Sequence, residues 1–493
     1  MDPSFQSAAA LAGLVRAGKI GCLELLDHFI ARVERLDSRI NAVVVRDFDR
    51  ARQRARALDQ QPDRSAPLFG VPMTVKESFD VAGLPTTRGH VAAKDRPVRM
   101  SSLAVRRLEE VGAVIFGKTN LPVDLADWQS YNPVYGVTSN PWNVDHTPGG
   151  SSGGSAAALA AGLTGLEIGT DIGGSIRVPA HYCGVFGHKP TWGLCPNFGD
   201  PATSRAATGD IAVLGPLARS AADLGLVLDA VAKPDPADSA LTTALPSPRF
   251  TNPKDLRIAV WSHEPGQATD HETVAHIDTL ADRLETEGAN VSRTARPEFD
   301  PVETYRLHLR LLNAAWSASA TDAVIERQRK GAARRGPADM SADAIMIRGT
   351  DLTHREWLGL NERRHVIRRA WNAFFRDWDV LLCPVIASAA MPHRQDGETW
   401  ERRIAIEGQD IAYNDQLFWP LSIGGSHLPA TVAPIGHTAT GLPLGVQIVG
   451  PIHGDRTTIA AAGLLEQMGF GFVPPPGWGW NITSALPRTA DPA

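Results

Sequence analysis

One lysine and two serines in this chain have the residue types and the surroundings needed to attack a carbonyl group. Ser151 lies in the stretch GGSSGGS and Ser175 in GTDIGGSIRVP, while Lys76 ends the mostly apolar stretch GVPMTVK. Glycine lets a backbone turn tightly, so we expect both serine hydroxyls on accessible loops. A serine hydroxyl is a weak nucleophile until a base removes its proton. The three residues raise the hypothesis of a serine nucleophile with a lysine base.

Lys76 can be that base only after losing its extra proton, which an ordinary lysine keeps up to a pH of about 10.4. Burial or nearby cations lower a lysine's pKa. The apolar residues before Lys76 fit a desolvated position, and a strand would direct the adjacent Glu77 to the opposite face. A lone lysine near a strand end is otherwise best interpreted as a solvated surface charge. A function for Lys76 therefore depends on the two serines.

The motifs and their spacing resemble those of the amidase signature family, whose members are Ser-Ser-Lys hydrolases. Ser151 follows Lys76 by 75 residues and Ser175 follows Ser151 by 24, both as that family spaces them. Further matching segments are Asp80–Thr87, Gly117–Asn120, Asn140–Asn143, Cys183–Gly187, Lys189–Thr191, Gly215–Ser220 and Gly441–Gly450. The resemblance runs from about Leu23 to Gly450 and thins between roughly Lys233 and Ser422.

The resemblance implies a role for each residue of the proposed relay. Ser175 would be the nucleophile, and Ser151 would be a bridging serine held by a non-proline cis peptide. Lys76 would be the general base. Backbone N–H groups would stabilise the charge on the tetrahedral intermediate. This oxyanion hole, carried over from the family, consists of Ile172, Gly173, Gly174 and Ser175.

Four further residues near the serines are expected to support the site. An ion-paired or backbone-bonded Asp171 and Arg177 that shape the loop are favoured over direct contact with substrate. Ser152 lies beside the bridging serine, and Thr170 is a candidate for a hydrogen bond within the site.

The resemblance and the residue patterns together predict an α/β fold, with a mixed β-sheet core covered by helices on both sides. We expect one catalytic domain over residues 1–493, with a variable, mostly helical insertion over 233–422. Apolar periodicity predicts helices over 22–36, 271–287, 302–320 and 354–378, and β-branched or apolar runs predict strands over 41–45, 112–117 and 256–261. The arginine-rich segment 327–340 contains two glycines and a proline and is expected to be a mobile loop.

A second motif points to a different class of protein. Residues 112–119 match the phosphate-loop pattern GxxxxGK[ST]. The intervening residues are Ala-Val-Ile-Phe, however, which by composition form a buried strand rather than a loop around a phosphate. A nucleotide-binding protein therefore remains only a remote alternative.

The histidines could in principle bind a metal or complete a Ser-His-Asp triad. Fifteen are present, but none forms HxH or HExxH, so we expect no metal site and no cofactor. His146, His181 and His188 lie near the serines in sequence. Packing with a hydrogen bond is the favoured role for them. His188 stands where the family usually has an apolar residue.

Charge and composition argue against nucleic acid and membranes as partners. A formal net charge of −5 provides no overall basic surface for nucleic acid. No stretch is long and apolar enough to span a membrane, and the amino terminus lacks the features of a secretory signal. Four cysteines without a CxxC pattern indicate reduced thiols. We expect a cytoplasmic enzyme whose partner is a small-molecule amide, with a homodimer as one option.

The predicted reaction is hydrolysis of a carboxylic amide through an acyl-enzyme on Ser175. A hydrophobic or aryl amide is favoured, and carbamates and esters stay open. Aromatic residues that could line the pocket are Trp128, Tyr131, Trp192 and Trp419, together with Phe198 and Phe418. The alternative within the family is the glutamine-hydrolysing subunit of a tRNA-dependent amidotransferase, which works with partner subunits.

Overall fold

Helices and short strands alternate along the chain. The computed structural model describes residues 2–196, 198–204, 207–234, 244–318 and 320–479. The strands are β1 (Val43–Arg46), β2 (Pro72–Lys76), β3 (Val114–Thr119), β4 (Tyr131–Asn132), β5 (Gly136–Val137), β6 (Glu167–Asp171), β7 (Phe186–Lys189), β8 (Val213–Ala218), β9 (Arg257–Val260), β10 (Asn290–Ser292), β11 (Val380–Pro384), β12 (Arg403–Ile406), β13 (Gln409–Ala412), β14 (Ala430–His437) and β15 (Pro443–Val449). The helices are α1 (Ala8–Arg16), α2 (Cys22–Leu36), α3 (Phe48–Asp59), α4 (Leu103–Glu110), α5 (Gly153–Ala160), α6 (Arg177–Cys183), α7 (Ala221–Val231), α8 (His271–Thr286), α9 (Pro301–Ser317), α10 (Asp322–Arg335), α11 (Ala342–Ile347), α12 (His354–Phe374), α13 (Phe418–Gly424) and α14 (Asp455–Gln467).

Two sheets carry the predicted site. The larger has eight strands in the order β10-β9-β11-β15-β14-β7-β8-β6, with both parallel and antiparallel pairs. The smaller has the order β1-β3-β2. Strand β2 ends at Lys76, and β6 at the edge of the large sheet leads into the Ser175 loop. This mixed sheet with its many helices confirms the predicted α/β fold class.

Helix α2 shows why the amphipathic pattern was informative. Leu25, Phe29 and Val33 recur at helical spacing and are fully buried, which matches the core-facing stripe expected of a surface helix. The helix occupies the predicted residues 22–36. The strands predicted at 41–45, 112–117 and 256–261 also form, with bounds shifted by one or two residues.

The prediction of a loop over 327–340 was wrong for most of that segment. Helix α10 extends to Arg335 and ends at Gly336, whose φ of 68° interrupts the helix. Its residues are mostly good helix formers, and an ion pair between Glu326 and Lys330 joins neighbouring turns. Gly331 lies within this helix and does not break it, whereas Gly336 ends it.

The region 233–422 is rich in helices, and it also contributes strands to the core. Strands β9, β10 and β11 are three of the eight strands of the large sheet and form one end of it, and β11 pairs with β15. Residues 235–243 of this region lie outside the described residues. Among the helices that the structure does describe, none is long and apolar enough to cross a membrane.

Candidate active site

Lys76 is the last residue of β2 and is fully buried. Its Nζ lies 2.6 Å from Ser151 Oγ and 2.9 Å from Thr170 Oγ1. Burial disfavours the ammonium and holds the pKa of Lys76 well below its ordinary value, although the negative charges of Asp171 and Glu167 oppose this. Lys76 is therefore held against two hydroxyls with its pKa shifted toward the neutral amine.

Ser151 is placed by a crowded turn. The Gly150–Ser151 peptide is cis, as the family resemblance implied. A Cβ on Gly150 would overlap the carbonyl oxygen of Asp127 and approach the backbone nitrogen of Gln129 to 2.6 Å, so this position requires glycine. The next residue joins the two serine segments, because Ser152 N–H donates to the carbonyl oxygen of Ser175 at 3.1 Å.

A buried ion pair shapes the loop that carries Ser175. Arg177 Nη2 lies 2.8 Å from Asp171 Oδ1, and Arg177 Nε lies 3.0 Å from Oδ2; both side chains are fully buried. Burial works against the carboxylate, but the charge and hydrogen bonds of Arg177 outweigh it and lower the pKa of Asp171. Arg177 Nη1 also donates to the carbonyl of Pro420 at 2.7 Å and to Gln447 Oε1 at 2.6 Å. The pair thereby ties the loop to α13 and β15.

The oxyanion loop differs in one amide from the predicted set of four. Gly174 N–H donates to Asp171 Oδ1 at 2.9 Å, so this amide is already used in shaping the loop. The amides of Ile172, Gly173 and Ser175 have no acceptor among the described residues. Gly174 has a φ of 107°, and a Cβ there would lie 2.9 Å from Pro420. Of the four amides predicted to bind an oxyanion, one is therefore engaged by Asp171, and three have no acceptor among the described residues.

The predicted aromatic pocket residues fall in different places. Trp128 adjoins the oxyanion loop, because its Nε1–H donates to the carbonyl of Gly173 at 3.2 Å. Trp419 is buried in the core, and its Nε1–H donates to Thr269 Oγ1 at 2.8 Å. Tyr131 contacts Asp127 and Arg402, Trp192 stacks on His427, Phe198 lies under Arg106, and Phe418 packs in the core.

Aliphatic side chains, which the motifs did not single out, stand beside the oxyanion loop. A Cβ placed on Gly173 would lie 3.8 Å from both Leu312 and Leu417, on α9 and just before α13. Together with Trp128, they form an apolar wall against the loop. A separate cavity of about 400 Å³ is lined by residues such as Tyr305, Ile345 and Asp415 and includes none of the predicted catalytic residues.

Glu167 is a further site residue that no motif indicated. This first residue of β6 is fully buried and accepts hydrogen bonds from Thr74 Oγ1–H and from Ile168 N–H. Burial raises the pKa of its carboxyl to about 8, against the opposing hydrogen bonds of Thr74, Ser155 and Thr119. Glu167 is a single acidic residue in an apolar run and belongs to none of the motifs of the family resemblance. Only the structure shows its contact with β2.

The phosphate-loop match is a buried strand. Residues 114–119 form β3, which pairs with β1 on one side and with β2 on the other. The buried Lys118 donates to the Pro85 carbonyl and to Thr86 Oγ1, and its Nζ lies 3.7 Å from a carboxyl oxygen of Glu77. The backbone and the lysine are both engaged within the protein, which rules out a phosphate-binding loop at this segment.

The three histidines near the serines have structural partners. His181 Nδ1 accepts from Gly445 N–H at 2.8 Å, and His188 bonds Thr431 and Asp455. His146 joins Pro392 in a β-bridge through its backbone, whereas its ring Nδ1 has no hydrogen-bond partner among the described residues. Within the described ranges, no three histidine, cysteine or acidic side chains gather in a way that could hold a metal ion.

A separate buried group lies next to Trp192. His308 and His427 are buried, Arg364 Nη1 lies 2.8 Å from Asp210 Oδ1, and the stacked His427 Nε2 lies 3.5 Å from the same oxygen. Burial and the neighbouring Arg364 lower the pKa of His308 to about 3 and that of His427 to about 4. Both histidines are therefore neutral in the folded protein.

Comparison with known proteins identifies the family. A family model described as Amidase matches residues 24–459. The chain belongs to the amidase family. This confirms the resemblance to amidase signature enzymes, and the protein is accordingly a hydrolase that acts on amides.

Two relatives in sequence and one solved structure are similar to this amidase over most of its length. An indoleacetamide hydrolase from Bradyrhizobium diazoefficiens is 31% identical over 469 residues, covering 94% of this chain and 86% of the relative. A glutamyl-tRNA(Gln) amidotransferase subunit from a Synechococcus strain is 30% identical over 496 residues, covering 95% and 97%. The crystal structure of a bacterial aryl acylamidase superposes with a TM-score of 0.78 at 26% identity, covering 94% of this amidase and 96% of that chain.

Proposed function

We propose that this amidase hydrolyses a hydrophobic or aryl amide through an acyl-enzyme on Ser175, with Ser151 relaying the proton to Lys76. The observation that carries the proposal is the 2.6 Å contact between Lys76 Nζ and Ser151 Oγ in a fully buried setting. A neutral lysine at this distance can accept a proton from the bridging hydroxyl.

In the first half of the reaction, Ser175 Oγ attacks the carbonyl carbon of the amide. Its proton passes to Ser151 while the proton of Ser151 passes to Lys76, which becomes an ammonium. The carbonyl oxygen gains negative charge next to the amides of Ile172, Gly173 and Ser175, which stabilise it. When the C–N bond breaks, Lys76 returns the proton through Ser151 to the leaving nitrogen.

In the second half, water attacks the Ser175 ester. The same relay takes a proton from the water and returns it to Ser175 Oγ as the ester bond breaks, which releases a carboxylic acid. Each half begins and ends with a neutral Lys76. The proposed chemistry thus uses side chains and backbone amides only.

The preference for a hydrophobic or aryl amide is supported by the apolar wall at the oxyanion loop. Leu312, Leu417 and Trp128 surround Gly173, and apolar surface favours an apolar acyl or amine group. An indoleacetamide hydrolase and an aryl acylamidase among the similar proteins support the same class.

A second candidate function is glutamine hydrolysis within a tRNA-dependent amidotransferase. The observation that favours it is the 30% identity with a subunit of such an enzyme over nearly its whole length. That function would require partner subunits. The isolated amidase acting on simple amides would count against it.

A substrate panel with active-site labelling tests the proposal. The purified chain alone should turn over aryl and other hydrophobic amides faster than glutamine or small aliphatic amides, with esters and carbamates included for comparison. A fluorophosphonate should label the wild type, while Ser175→Ala should abolish both labelling and turnover. Ser65→Ala, at an exposed serine away from the motifs, is the matched control, and its label should persist. Full labelling of Ser175→Ala would refute the nucleophile, and activity on glutamine alone would favour the second function.

A further inference from the structure

The segment 127–130 contacts both of the loops that carry the serines of the proposed relay. Its indole donor, Trp128 Nε1–H, lies 3.2 Å from the carbonyl oxygen of Gly173 on the oxyanion loop. Its backbone packs on the peptide between Gly150 and Ser151, so closely that a Cβ on Gly150 would overlap it. A displacement of this segment would therefore move both loops.

Ser130 joins the same segment to the loop of the bridging serine by hydrogen bonds. Its hydroxyl donates to the carbonyl of Gly149 at 3.0 Å and accepts from Gly153 N–H at 3.0 Å. These two backbone groups lie on either side of Ser151 in the chain. Because one buried hydroxyl bridges them, it holds the turn that contains Ser151 in one shape.

A buried cluster of polar side chains holds the segment from its other side. The two oxygens of the Asp127 carboxylate lie 2.6 Å from Arg402 Nη1 and 2.6 Å from Tyr413 Oη. Tyr131 Oη–H donates to the same carboxylate at 3.1 Å and accepts from Arg402 Nη2 at 2.7 Å. The side chains of Asp127 and Arg402 are both nearly buried, so water competes little for these contacts.

Arg402 connects this cluster to a distant part of the chain. Its guanidinium also donates to the three backbone carbonyls of segment 395–397, at 2.8, 3.1 and 3.3 Å. Arg402 directly precedes β12, and Tyr413 directly follows β13. The ring of Tyr413 also packs on that of Trp128, with the centroids 5.6 Å apart. The chain around the β12–β13 hairpin is thereby fixed to the segment that contacts both serine loops.

We propose that Arg402 is a positioning residue for the relay, which acts through Asp127 on the segment that places Ser151 against the oxyanion loop. This inference rests on the proposed function of Ser151 and Ser175. Among the described residues, the hydrogen-bond partners of Arg402 include no member of the relay. Arg402 therefore affects the geometry of the reacting groups and takes no part in the proton transfers.

Replacement of Arg402 by Met tests the proposal, because the side chain keeps most of its length and loses its charge and its donors. Fluorophosphonate labelling of Ser175 should slow by about tenfold to a hundredfold, as expected when reacting groups are misplaced by about 1 Å. The kcat should fall for small aliphatic amides as well as for aryl amides, because all of them use the same relay. Normal labelling, or a loss confined to aryl amides, would overturn the proposal.

A cycle of single and double variants tests whether Arg402 acts through Asp127. Asp127→Asn keeps the shape of the side chain and removes its charge, so it should also slow labelling. If the two residues act as a unit, the double variant should be no slower than the slower single variant. Losses that multiply in the double variant would contradict action through Asp127. Tyr413→Phe removes one donor to the carboxylate and is the milder variant if the charge variants do not fold; unchanged labelling in it would then overturn the proposal.

A matched control separates position from stability. Arg107 is as buried as Arg402 and donates to backbone carbonyls of segment 231–234, outside the serine loops. Arg107→Met should lower the thermal unfolding temperature comparably and leave the labelling rate of the folded protein unchanged. Equal slowing in both arginine variants would assign the effect to instability and overturn the proposal. A Ser175→Ala variant that kept its label and turnover would instead refute the proposed function.

Discussion

Lys76 is fully buried with its Nζ against the hydroxyls of Ser151 and Thr170, and its pKa is lowered mainly because the ammonium is poorly solvated there. Below that pKa the ammonium cannot accept the serine proton, so activity is lost as pH falls and rises as pH increases through it. We expect a neutral to alkaline optimum that EDTA does not change. The measurement is a kcat/KM profile with and without EDTA, repeated for alanine variants of His146, His181 and His188. An acid limb that disappears in one histidine variant, or activity lost in EDTA and restored by zinc, would contradict the lysine relay.

The order of the relay predicts unequal losses at its two other members. Lys76→Ala removes the base and should reduce kcat about as far as loss of Ser175, to the level left by binding and the oxyanion hole. Ser151→Ala removes a bridge that water can partly replace, so more activity should remain. Single-turnover kinetics with an aryl amide measures both, and thermal unfolding checks their folding. A Lys76→Ala variant with wild-type kcat would require another base.

At the residue scale, the resemblance of their motifs and spacing to a known family singled out Lys76, Ser151 and Ser175, and the structure places Lys76 Nζ beside Ser151 Oγ. Glu167 could not be singled out in this way, because it belongs to none of these motifs and its contacts on β2, β3 and α5 are with residues remote in sequence. The hydrogen bond from Gly174 N–H to Asp171 Oδ1 could not be predicted either, because the motif contains both residues but does not indicate which group this amide contacts.

At the element scale, the loop between β6 and α6 depends on the buried pair of Asp171 and Arg177. Arg177→Met would leave Asp171 buried without its partner, which typically costs about 3–5 kcal/mol of unfolding free energy. We expect a loss of this size in urea denaturation together with a large fall in kcat. Arg456→Met, which breaks an exposed pair with Asp229 of the same 2.8 Å length, should cost only about 0–1 kcal/mol. Equal losses in the two variants would mean that burial does not decide the strength of the pair.

Elements with a strong periodicity of apolar residues, such as α2, were predictable from the sequence. Helix α10 was not, because its apolar stripe is weak, it is mostly exposed, and its arginine- and glycine-containing composition is also typical of a loop. The strand character of β9 was recognisable, whereas its place in the core was not, because sheet order depends on pairing with β11 and β10. Local residue patterns therefore predict whether an element is a helix or a strand better than they predict which elements it pairs or packs with.

At the scale of the whole molecule, the neutral buried histidines make stability sensitive to acid. Burial lowers the pKa of His308 to about 3, while an unfolded histidine titrates near 6.5. The unfolded chain therefore binds more protons below pH 6.5, and stability falls as pH decreases from there toward the folded-state value. His308→Gln should reduce this slope by up to about 1.4 kcal/mol per pH unit between pH 6 and 4.5.

Urea denaturation across this pH range measures the slope. His263→Gln, at an exposed position, controls for the change of residue type. Identical slopes for the wild type and His308→Gln would show that this histidine does not contribute to acid unfolding.

The order of the large sheet also bears on synthesis. β15, the last strand along the described residues, lies between β11 and β14. It joins the part of the sheet built from β9, β10 and β11 with the part that ends at β6. A nascent chain on the ribosome cannot join these parts until residue 449 has left the exit tunnel. Until then both parts expose unpaired strand edges, which are surfaces that invite aggregation. Chaperone demand and sensitivity to translation rate should therefore fall on this late step rather than on the early motif-bearing segments.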